Sequence, residues 1–117
     1  MNRIALAIAA TAMLASPAAA QGPIGTVTRG SYQCELPGNA AGRASVRQEA
    51  EDFRIISASR YRSPQGGGTY LRRGDTLTMT SGPRNGTAYR ILSDNFVRKL
   101  NAEGKVSRLR CVRTRER

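Results

Sequence analysis

The sequence predicts an all-β fold: a small antiparallel β-barrel or β-sandwich, built as a meander and closed by one disulfide. Three observations carry this. Several short segments alternate apolar and polar residues with the period of two that half-buried strands require. Glycine-, asparagine- and aspartate-containing stretches separate them at tight-turn spacing. The two cysteines, Cys34 and Cys111, stand near opposite ends of the chain at inward-facing positions of such segments.

The first twenty residues precede that domain in character. Arg3 is a short basic start, Ile4 to Leu14 an apolar stretch, and Ala18-Ala19-Ala20 a small-residue end before Gln21. This is the pattern of a cleavable secretory signal. The apolar stretch is shorter than the roughly 20 residues that span a bilayer. The expected division is therefore a signal peptide over 1–20 and one small β domain over 21–117, with an ordered core over 28–113 and a frayed tail over 114–117. Removing the signal leaves 97 of the 117 residues, enough for one domain and no more. No transmembrane segment is expected after its removal, and the expected location is the periplasm or the exterior. In such an oxidising compartment an isolated cysteine pair forms a disulfide.

The elements follow in order. Tyr32, Cys34 and Leu36 point inward and Gln33 and Glu35 outward in the first strand. Ala40 to Asp52 fits a loop with a short helical turn or a poor edge strand. Strand candidates continue at Phe53 to Ser57, Thr69 to Leu71, Thr76 to Thr80, Ala88 to Leu92 and Phe96 to Leu100. In the last strand Leu109 and Cys111 face inward and Arg108 and Arg110 outward. Arg73-Gly74-Asp75, Gly82 to Gly86, Ser93-Asp94-Asn95 and Asn101 to Gly104 are read as tight connections, and Ser63 to Gly68 as a mobile loop. Short connections favour an antiparallel meander, and a first strand stapled to a last suits a sheet that closes on itself or forms two packed layers. Tyr32, Tyr61, Tyr70, Tyr89, Phe53 and Phe96, the whole aromatic complement, are expected in the core or at its rim.

Catalytic chemistry is hard to assemble. The chain has no histidine, which excludes Ser-His-Asp and Cys-His arrangements and leaves no zinc-binding set. No catalytic residue, metal site or cofactor is expected, and the chain is read as a non-enzyme. Glu49, Glu51 and Asp52 are the one close carboxylate cluster, flanked by Arg47 and Arg54 as on a charge-balanced surface. The strongest functional signal is basic. Net charge is +11, of which Arg3 leaves with the signal, and only Lys99 and Lys105 among the cations are not arginine. Arginine suits bidentate contact with phosphate or carboxylate. Arg84, in a glycine-rich loop, and Arg90, Arg98, Arg108 and Arg110, on the last strands, are the anion-binding candidates. The expected partner is an anionic envelope component, contacted by these arginines. The alternatives are a protein-interaction module and a small-ligand carrier with a cavity inside the barrel. No nucleic acid is expected, because an exported protein does not meet the chromosome and aromatic interleaving is poor.

The stretches Tyr32 to Gly38, Gly68 to Leu71, Gly74-Asp75, Thr78 to Pro83, Asp94 to Phe96 and Leu109 to Arg113 carry a resemblance. Together they resemble a group of small exported bacterial proteins without an established activity, some of which bear the label elongation factor P. True elongation factor P is longer and multi-barrelled, whereas this chain has room for one barrel. The early Tyr-x-Cys and late Cys are also loosely similar to periplasmic inhibitors of c-type lysozyme, which are small β-barrels. That similarity implies inhibition of a hydrolase. Lysozyme is itself basic, so such a partner would meet long-range repulsion from this chain.

Overall fold

A computed structural model describes residues 22–39, 42 and 44–114. The expected signal peptide, the cleavage point at Gln21 and the end of the tail lie outside these residues. The described chain contains ten strands: β1 (Ile24–Gly25), β2 (Gly30–Pro37), β3 (Ser45–Arg47), β4 (Phe53–Ile55), β5 (Arg60–Ser63), β6 (Gly66–Arg73), β7 (Thr76–Met79), β8 (Ala88–Ser93), β9 (Phe96–Leu100) and β10 (Val106–Thr114), with one 3₁₀ turn, η1 (Glu49–Glu51), between β3 and β4. Every pairing is antiparallel, and the order β6-β5-β4-β2-β10-β9-β8-β7 returns to β6. The fold is thus a closed eight-stranded barrel, with β1 and β3 as short additions on β6 and β2. Leaving aside β1 and β3, successive strands are neighbours throughout, which is an up-and-down meander. No helix among the described residues is long and apolar enough to cross a membrane.

The seam at which the meander closes lies between β2 and β10. Cys34 stands directly opposite Cys111 there. Their Cα atoms are 3.9 Å apart and the disulfide joins them. Both are fully buried, so the bond is a stitch on the inner wall of the barrel.

Alternation decides what fills the bore. Inward positions carry Tyr32, Phe53, Ile55, Tyr61, Tyr70, Leu77, Met79, Tyr89, Ile91, Val97 and Leu109, all buried. Tyr32 stacks on Phe53 with ring centroids 5.0 Å apart, and Phe53 meets Tyr89 at 5.1 Å. Each buried tyrosine spends its hydroxyl at the end of the bore. Tyr61 donates to the Ser81 carbonyl (2.8 Å), Tyr32 to that of Thr28 (2.7 Å) and Tyr70 to that of Ser57 (3.0 Å). The Tyr70 oxygen also accepts the Val27 amide at 3.2 Å, and buried Val27 closes that end. The ordered core therefore begins before residue 28. At its other limit Thr114, expected in the tail, pairs with Ser31 in β10.

Three local expectations change. Ser63 to Gly68 is not a loop: Pro64 and Gln65 alone turn, and the glycines run as the first residues of β6. The reason is close approach, because a Cβ on Gly68 would lie 2.2 Å from the Ser81 carbonyl oxygen and 2.9 Å from the Tyr61 ring. Opposite them β5 is a strand that alternation does not reveal, since Tyr61 is its one apolar residue. Finally, Ala40 to Asp52 holds both alternatives at once, with β3 as an edge strand and η1 as the helical turn.

A candidate anion-binding face

Arg84 and the four other candidates part company in the structure. Arg84 is 9% exposed and its guanidinium is turned into the end of the barrel beneath η1. Nη2 donates to the carbonyls of Ala50 (2.7 Å) and Asp52 (2.8 Å), and Nη1 to that of Glu51 (2.8 Å) and to the Tyr89 hydroxyl (3.5 Å). Nε points to the Gln65 amide oxygen at 3.3 Å. A guanidinium has five N–H donors, and all are spent on these acceptors. The loop is fixed too, because the Arg84 amide donates to the Tyr61 hydroxyl at 3.1 Å. Arg84 is thereby a plug that satisfies the open carbonyls of η1. The expectation that it binds an anion is corrected, because no donor is left to offer one.

The carboxylates of the same region diverge. Asp52 accepts from the Cys34 amide (2.8 Å) and pairs with Arg47 at 2.9 Å, whereas Glu51 pairs with Lys99 at 3.1 Å. Lys99 reaches it because it sits at an inward position of β9, opposite buried Tyr89.

Arg90, Arg98 and Arg110 come together. Each stands next to a buried residue in its strand, respectively Tyr89, Val97 and Cys111, so each projects from the outer wall. Arg90 is the register partner of Arg98, and Arg98 that of Arg110. With strands about 4.8 Å apart, three guanidiniums leave the wall within roughly 10 Å. The row continues to both sides. Beyond Arg110 come Glu35 and then Arg47; beyond Arg90 come Thr76 and then Arg73. Arg110 Nε donates to Glu35 at 2.8 Å. Among the described residues Arg90 and Arg98 have no carboxylate partner, and the buried Nε of Arg98 and of Arg73 meets no acceptor. Like charges directly opposite on neighbouring strands are destabilising by a few tenths of a kcal/mol to about 1 kcal/mol per pair. The row thus holds positive charge that the fold does not need.

Arg108 stands beside the row. The register between β9 and β10 shifts between Val106 and Arg110, so Arg108 has no β9 partner and its side chain is exposed. At the β7 side Arg90 borders a groove of about 930 Å³ under the β9–β10 hairpin, where Thr76, Thr78 and Thr87 supply hydroxyls and Asp75 and Glu103 carboxylates. Sequence reasoning missed Arg73, Glu35 and Arg47 as members of the row. The outward parity of Glu35 is legible, but Arg73 is read as a turn residue and Arg47 as part of a loop or edge segment, and the register that aligns them is not legible.

What fold and face together define is a small disulfide-closed meander barrel with a basic outer wall. No family model, curated protein or solved structure matches the chain.

Proposed function

We propose that this chain is an exported, non-enzymatic binding module that associates with the cell envelope by contacting an anionic component through Arg90, Arg98 and Arg110. The observation that carries the reading is the direct register of these three arginines, of which Arg110 alone is ion-paired among the described residues. Arranged charge of one sign that costs stability is the mark of a surface that meets the opposite sign elsewhere. The signal-like residues 1–20 and the Cys34–Cys111 disulfide support export into an oxidising compartment. Against a carrier role, the bore is occupied by four tyrosines and Phe53, and the large groove lies on the outer wall.

The test expresses the full chain in a bacterial host, purifies the exported protein and measures binding to phosphatidylcholine vesicles with and without phosphatidylglycerol across a salt series. The expected outcome is binding confined to the anionic vesicles and falling steeply with salt. Arg90→Glu with Arg98→Glu should weaken it at least tenfold. Equal binding by this variant would remove the arginine row from the account. N-terminal sequencing of the same material is expected to begin at Gln21.

A further inference from the structure

The outer wall of β8, β9 and β10 carries a second row parallel to the arginines. Moving two residues along each strand toward the end closed by Val27, the outward positions are Leu92, Phe96 and Val112. Phe96 is the register partner of Val112, and Leu92 lies at the register shift between Ile91 and Ser93 that brings Ser93 opposite Phe96. Leu92 is 49% exposed and Val112 39%, with Phe96 half-buried between them. Of the other exposed large apolar residues, Ile24, Val46 and Leu71 stand on β1, β3 and β6, Ile56 directly after β4, and Val106 at the far end of β10. Single exposed apolar residues are ordinary. A row on three neighbouring strands, with Phe96 and Val112 in direct register and Leu92 at the adjoining shift, bordered by cations, is not.

From this juxtaposition we infer that the β8–β10 wall docks onto an anionic lipid leaflet, with Leu92, Phe96 and Val112 entering the acyl boundary while Arg90, Arg98 and Arg110 hold the headgroup phosphates. The inference rests on the anionic-partner reading above and narrows it to lipid. Two residues of strand separate the rows by roughly 7 Å, and proteins that lie in the membrane interface bury their apolar face about 5–10 Å into the headgroup and acyl boundary. The spacing therefore lets both rows be satisfied at one depth. Flexible arginine stems reach back along apolar surface to keep their heads in the polar layer. A soluble polyanion would engage the arginines and leave the apolar row in water.

The chain contains no tryptophan, so one placed at Leu92 reports its own surroundings. The experiment compares Leu92→Trp with Leu71→Trp, on β6 two strands beyond β8 and three from the centre of the wall at β9, as exported full-chain proteins. Each is mixed with phosphatidylglycerol vesicles containing chain-brominated lipid and, separately, with inorganic polyphosphate. Vesicles should blue-shift the Leu92→Trp emission, and bromine should quench it at least twofold. Leu71→Trp should show neither effect, and polyphosphate should shift neither emission. In the otherwise native chain, Leu92→Asn with Val112→Thr should weaken vesicle binding about tenfold and leave polyphosphate binding unchanged. Vesicle-bound protein whose Trp at position 92 stays in water would overturn the docking geometry and leave the arginine reading standing. Polyphosphate binding without vesicle binding would overturn the lipid partner alone. Binding to neither would overturn both.

Discussion

Arg84 offers the sharpest test of the division between structural and surface arginines. In Arg84→Met the stem keeps its volume, but the carbonyls of Ala50, Glu51 and Asp52, held at 2.7–2.8 Å, lose the guanidinium together with the Tyr89 hydroxyl and the Gln65 amide oxygen. Among the described residues only the Ala50 carbonyl keeps another side-chain donor, Gln65 Nε2 at 3.0 Å. A hydrogen bond from a charged group contributes about 1.5–3 kcal/mol, and dismantling a buried charged network costs roughly 3–5 kcal/mol. Water can re-satisfy some of these part-buried carbonyls, so the expected loss is about 3–5 kcal/mol rather than the sum over five donors. Against a typical total of about 5–15 kcal/mol that is a large change. Equilibrium urea unfolding followed by circular dichroism reads it as a lowered midpoint at unchanged slope. Arg84→Lys should recover little, because one ammonium cannot span three carbonyls as the guanidinium fork does. Arg98→Met, in the same assay, should be neutral or stabilising, since it relieves repulsion from Arg90 and Arg110. An Arg84→Met protein within about 1 kcal/mol of the parent would refute the plug, with that size of effect being what an ordinary surface change produces.

Three further outcomes follow from the fold. Replacing both Cys34 and Cys111 by alanine should cost about 4 kcal/mol in urea unfolding, since the bond closes a loop across a sequence separation of 77 residues; an unchanged midpoint would remove the stitch from the stability account. Gly68→Ala should destabilise by several kcal/mol, because its Cβ would meet the Ser81 carbonyl at 2.2 Å, whereas Gly86→Ala should cost only about 1 kcal/mol, its φ of 95° being strained but its surroundings open. Alkaline stability reports on Tyr32 and Tyr89, each pushed up to about 12 chiefly by burial. A folded-state value above the unfolded one, near 10, makes this contribution complete below pH 10 and lost as pH rises from 10 through 12. For fully buried Tyr89 it amounts to about 3 kcal/mol. The phenolate absorbance of Tyr32 and Tyr89 should therefore rise together with unfolding, and their free ionisation near pH 10 in a folded barrel would contradict it.

Much of the barrel is legible because strand parity is a two-valued property. Leu77 and Met79 against Thr76 and Thr78, or Leu109 and Cys111 against Arg108 and Arg110, declare a wet and a dry side with no tertiary knowledge. Two inward cysteines at opposite ends of the chain already imply that the first and last strands meet. What escapes is whatever depends on residues far along the chain. Gly66 to Gly68 look like a loop until Ser81 and Tyr61 are brought against them, and Arg84 looks like a loop cation until η1, more than thirty residues earlier, supplies its carbonyls. The arginine row sits between these cases. Each outward direction follows from its strand, but the register that places Arg90, Arg98 and Arg110 shoulder to shoulder depends on turn lengths and on the shift within β10.

The seam between β2 and β10 makes the barrel a ring in topology as well as shape. Every other junction joins strands that follow one another along the chain, the β2–β4 junction with β3 and η1 between them, while this one joins Ser31 to Thr114 and Cys34 to Cys111. A linker running from Thr114 across the end that Val27 closes to β1 on β6 could bridge the ends, and the chain could be opened afresh at the exposed β9–β10 hairpin, Asn101 to Gly104. Such a permuted ring would carry the same walls with its cysteines now close in sequence. The crosslink would then close only a small loop, and the late, long-range meeting of the two ends would become an early, local one.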